Sequence, residues 1–79
     1  MSKFPKIRKF MAECPHKRAI AALMDCIDVL DGGCLITIQS YWFGYAVGCL
    51  ETLWGIGLMT DEEFFELHGE IFHAGGDET

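Results

Sequence analysis

The chain has 79 residues, 51% of them hydrophobic, with four cysteines and a net charge of −6. That length holds one small domain, which buries roughly 60–65% of its unfolded surface, so its stability is expected to be modest unless it is stapled or oligomeric. The Met-Ser-Lys-Phe-Pro-Lys start lacks the apolar run of a secretory signal. Cys14, Cys26, Cys34 and Cys49 are therefore expected to be reduced thiols of a cytoplasmic protein, most of them acting as small buried hydrophobes.

The net charge conceals a division. All six basic residues (Lys3, Lys6, Arg8, Lys9, Lys17 and Arg18) lie within the first 18 positions, where Glu13 is the one acid. Of the 12 carboxylates, 12 − 1 = 11 therefore lie in 19–79, without a lysine or arginine among them. Such an asymmetry speaks to what each end attracts rather than to fold.

In chain order, residues 1–13 form a basic N-terminal arm in which Phe4, Ile7, Phe10 and Met11 recur at helical spacing, and Pro5 suits a first helical position. A helix over 15–31 follows. Ile20, Leu23, Met24, Ile27 and Leu30 make its apolar stripe, and Gly32-Gly33 stops it.

The stretch Cys34–Met59 carries both tryptophans, both tyrosines and one charge, Glu51. Its opening, CLITIQS, reads in isolation as a short strand, but no other segment alternates to pair with it. A helix over 35–56 is favoured instead, ended by Gly55 and Gly57. Apolar residues fall all round it: Ile38, Tyr41, Tyr45 and Cys49 on one side, Phe43, Val47, Leu50 and Trp54 on another. A helix of that kind is buried on every side or sits in lipid, and the expectation is a central helix covered by its neighbours. A membrane span over Tyr41–Met59 is the structural rival. Glu51 and the abrupt stop at a capping motif count against it.

The last helix, over 60–74, is the best marked. Thr60 and Glu63 make a capping box, and Met59 with Phe64 a hydrophobic staple. Phe64, Leu67, His68 and Ile71 line its inner face and Glu62, Glu66 and Glu70 its outer one, while Asp61, Glu62 and Glu63 suit the helix N-terminus. The fold class is all-α: a three-helix bundle around the central helix with a C-terminal helical hairpin, to which the N-terminal arm adds a fourth helix if it folds.

No catalytic or cofactor motif is present. Cys14 with His16, and His68 with His73, lack the paired spacing of a zinc site. Cys14 lies near His16, Lys17 and Arg18, which favour its thiolate, but no oriented base accompanies it. Neither an enzyme, a metal nor a cofactor is expected.

Two surfaces stand out. Asp25, Asp28 and Asp31 recur every three residues toward a helix C-terminus, where they repel one another and oppose the dipole. An adverse row of this kind suggests a partner site, shared with Glu62, Glu66 and Glu70, or else pairing with the basic arm. Gly44, Gly48 and Gly55, beside Tyr41 and Tyr45, mark a ridge for close helix approach, either within the chain or from a second copy. Excess apolar surface on the central helix favours a homodimer.

The tryptophan-bearing helix and the hairpin LWGIGLMTDEEFFEL, over Gln39–Phe72, resemble in type the small inhibitors of host defence carried by bacteriophages and mobile elements, including anti-CRISPR proteins. The resemblance implies a stoichiometric binding protein that occupies a basic, nucleic-acid-binding surface of a host protein complex. The alternatives are a self-associating structural or regulatory module, and a nucleic-acid contact through Lys3, Lys6, Arg8 and Lys9.

Overall fold

The computed structural model describes residues 2–33 and 36–76. Among these the chain forms four α-helices: α1 (Pro5–Glu13), α2 (Lys17–Asp31), α3 (Ile36–Gly55) and α4 (Asp61–Gly76). The arm folds as the fourth helix. Cys34 and Leu35, where the strand alternative began, lie outside the described residues, and Ile36 onward is helical.

A nine-residue helix is marginal on its own, and α1 is secured from outside at both ends. Pro5 opens it, needing no partner for a missing N–H. The backbone N–H groups of Lys6 and Ile7 donate to the two carboxylate oxygens of Glu70, at 2.9 and 3.0 Å. A carboxylate from α4 thus fills the role that a capping side chain would otherwise take. At the other end the Lys17 ammonium donates to the carbonyls of Met11 and Ala12, at 3.0 and 3.4 Å. Tertiary contacts supply what local sequence does not.

The core is gathered chiefly around α1 and α2. Phe4, Ile7, Met11, Ile20, Leu23, Cys26, Ile27 and Leu30 are fully or almost fully buried. Among the described residues, Ala46, Leu50 and Leu53 of α3 and Phe64, Leu67 and Ile71 of α4 join them. The chain itself therefore covers only part of the central helix. Helix α3 packs against α2 and α4, while α1 lies over α2 and α4 instead of over α3. One long side of α3 is left uncovered.

The α3–α4 turn follows from its sequence. Leu58 N–H donates to the Leu53 carbonyl at 3.0 Å and Gly57 N–H to that of Trp54 at 3.1 Å, the paired bonds of a Schellman motif. Gly57 sits at φ +85°, where a side chain would be strained. The capping box then starts α4: Glu63 N–H donates to Thr60 Oγ1 at 3.1 Å, and Thr60 N–H to Glu63 Oε1 at 2.9 Å. Thr60→Ala removes one of these bonds and is expected to cost about 1 kcal/mol, read as a lower denaturant midpoint with an unchanged slope. A loss below about 0.3 kcal/mol would mean that the turn, and not the box, sets the helix start.

The break at Gly55–Thr60 also bears on the membrane alternative. It ends the helical part of the apolar run at Gly55, and among the described residues no helix is long and apolar enough to cross a membrane.

Candidate interaction surfaces

Helix α2 is charged against its own dipole. Lys17 and Arg18 occupy its first turn and Asp28 and Asp31 its last, each where the helix field disfavours it. Most of this is compensated within the chain. Asp31 accepts hydrogen bonds from Ser2 Oγ (2.6 Å), from the Lys3 backbone N–H (2.8 Å) and from Arg8 Nε and Nη2 (3.2 and 2.8 Å). Arg8 Nη1 lies 2.8 Å from Asp28. Burial opposes ionisation of Asp31, but the bonds from Ser2, Lys3 and Arg8, with the charge of Arg8, outweigh it and hold the carboxyl below its usual value. The same contacts raise the Arg8 guanidinium above its ordinary value, the Asp31 bond most of all.

The proposed partner row is thus divided. Asp28 and Asp31 fasten the N-terminal segment, the pairing that the sequence offered as the alternative. Asp25 is exposed and, among the described residues, has no hydrogen-bond or ion-pair partner. On α4, Glu70 caps α1 and Glu66 stands 3.6 Å from Lys6, both side chains well exposed. Such a pair contributes little. Glu62 stays exposed on the outer face, without a partner among the described residues. In the basic arm, Arg8 and Lys6 face these carboxylates, Lys3 binds Asp31 through its backbone, and Lys9 is exposed. Arg8, and more weakly Lys6, are therefore answered by the chain's own acids.

Sequence periodicity missed an aromatic surface on α4. Phe65 and Phe72, seven residues apart on one stripe, are 72% and 64% exposed. The Phe64-Phe65 doublet carried the signal, because adjacent helix positions stand about 100° apart and cannot both face the core. Phe64 turns inward, stacked on Trp54 with ring centroids 4.5 Å apart and planes at 15°. The Trp54 indole N–H donates to Asp61 Oδ1 at 2.6 Å, and His68 lies 4.7 Å from the Phe72 ring. Asp61, Glu62 and Glu66 border the stripe.

The second surface is the uncovered side of α3. Tyr41 is 61% exposed, Tyr45 45% and Ile38 43%. A Cβ built at Gly44, Gly48 or Gly55 would meet nothing within 4 Å. Among the described residues no other helix packs directly onto these glycines, although Gly48 borders the groove between α3 and α2.

Among the described residues no three His, Cys, Asp or Glu side chains come together as a metal site. Cys14 is buried at the end of α1. Burial pushes the Cys26 thiol up to about 12 and raises that of Cys49. They stay protonated, packed as small hydrophobes and not poised as nucleophiles. Cys34 lies outside the described residues. No family model, curated protein or solved structure matches the chain.

Proposed function

We propose that this chain is a non-enzymatic binding protein of the phage-inhibitor type, which covers a basic, nucleic-acid-binding surface on a larger cytoplasmic protein complex. The observation that carries the reading is the outer face of α4. There Phe65 and Phe72 stand exposed on one stripe, with Asp61, Glu62 and Glu66 around its Phe65 end, in a body that has eleven carboxylates and no lysine or arginine after Arg18. Exposed aromatics are the side chains that dominate binding energy at protein interfaces. A border of one sign selects a partner of the other and speeds its approach. The pairing of Arg8 and Lys6 with the chain's own acids weighs against the alternative of a nucleic-acid contact through the arm.

The test uses the tagged chain and its Phe65→Ser/Phe72→Ser variant as baits in a bacterial lysate, with the captured complex assayed by gel shift for nucleic-acid binding. The expected result is a stoichiometric complex whose nucleic-acid binding falls when the chain is added. The variant should bind about 100-fold or more weaker with an unchanged melting curve, since both rings are exposed. A partner that binds nucleic acid equally well with and without the chain would overturn the proposal, as would a variant that captures it undiminished.

A further inference from the structure

The uncovered side of α3 is continuous with α2. Between the two helices runs an open groove of about 420 Å³ lined by Ala19 and Ala22 of α2 and by Tyr45, Gly48 and Thr52 of α3, with mostly apolar walls. Along its α2 edge lie Arg18, Ala22 and Asp25, at i, i+4 and i+7 on one helical stripe. Arg18 and Asp25 are exposed and make no ion pair or hydrogen bond among the described residues. They are the two charges of α2 that the described residues leave uncompensated, since Lys17 caps α1 and Asp28 and Asp31 hold Arg8. Seven residues of helix set them about 10 Å apart, one on either side of Ala22.

That spacing is self-complementary. A two-fold axis through the groove beside Ala22 and Gly48 carries the Arg18 end of one molecule onto the Asp25 end of another. It also brings the bare side of one α3 against that of its copy. Glycines at 44 and 48 then allow close backbone approach, and Ile38, Tyr41 and Tyr45 of each copy become buried. A purely basic or purely acidic partner would leave one of the two charges opposed, whereas a second copy satisfies both. The area is also adequate. A dimer of ordinary size covers about 800 Å² per copy, close to the footprint of the broad side of a body measuring 33 × 22 × 21 Å.

We infer that the α2–α3 face is closed by a second copy of this chain, in an antiparallel two-fold pair where Arg18 of each molecule meets Asp25 of the other. This face is separate from the outer face of α4, so the pair carries two copies of the proposed partner surface. Sedimentation equilibrium of the full chain and three charge variants tests the assignment. The wild type is expected to be dimeric at tens of micromolar. Arg18→Asp and Asp25→Arg each place like charges across the axis twice and should weaken association about ten-fold or more. The Arg18→Asp/Asp25→Arg double variant restores opposite charges and should return to within about three-fold of wild type. Circular dichroism should be alike for all four, because neither residue bonds within its own chain. A wild type that remains monomeric at several hundred micromolar overturns the inference and gives the face to another partner. A double variant no better than the singles overturns it too. Either result leaves the α4 reading standing, since that reading is judged by partner capture and gel shift.

Discussion

Phe4→Ala is expected to cost about 3–5 kcal/mol, most of the stability that a 79-residue domain possesses. Phe4 precedes α1, in a segment whose composition suggests a loose basic arm, yet its side chain is fully buried. The ring meets Phe43 edge to face, with centroids 6.4 Å apart and planes at 64°, and Ile7 and Met11 continue the same buried stripe. Removing it leaves a cavity beside α3 and releases the start of α1 from the core. At about 4–8 °C per kcal/mol for a domain of this size, the melting temperature should fall by more than about 12 °C. Phe10→Ala is the control, since Phe10 is only half-buried and should cost less. A loss below about 1 kcal/mol for Phe4→Ala would place the arm outside the cooperative core.

What the sequence disclosed and what it hid divide along physical lines. The capping box at Thr60–Glu63 and the apolar stripe of α2 could be read directly, because both are set by residues a few positions apart. The fate of α1 could not. Its anchors are Glu70, 64 positions from Lys6, and Asp31, 28 positions from Lys3, and no local pattern reports contacts across such separations. The same distance explains why the row Asp25, Asp28 and Asp31 stayed open between a partner site and pairing with the basic arm: Arg8 answers two of the three from another helix.

The incomplete cover of α3 has a different origin. Apolar residues all round a helix show that no side prefers water, but they do not show that the chain has enough other material to cover every side. Three further helices are present, and α1 is spent on α2 and α4. Tyr41, Tyr45 and Ile38 stay exposed as a result. The α4 surface was missed for the converse reason. An inner stripe beginning at Phe64 accounted for the helix, and the second phenylalanine of the doublet was not followed to the outer face, where Phe72 joins it.

Asp31→Asn should lower stability at neutral pH by about 2–3 kcal/mol, the scale of hydrogen bonds to a charged, largely buried acceptor. The substitution keeps the shape but places an amide where the carboxylate gathers Ser2, the Lys3 backbone and Arg8. The Arg8 guanidinium is left with Asp28 alone, whose side chain is 59% exposed. The pH dependence follows from linkage. The folded carboxyl titrates below the unfolded value of 3.8, so its contribution is fully present above that value. It is lost as pH falls through the unfolded and then the folded value, where both states bind the proton. The difference in melting temperature between wild type and Asp31→Asn should thus be about 8 °C or more at pH 7 and should close as pH is lowered below the ordinary carboxylate range. Asp25→Asn, at a position with no bond to lose, should show no such gap at any pH. An Asp31→Asn variant that melts within about 2 °C of wild type at pH 7 would return this carboxylate to the pool of surface charges open to a partner. The expected loss assigns it to the fold, as the residue through which the far end of α2 holds the N-terminus in place.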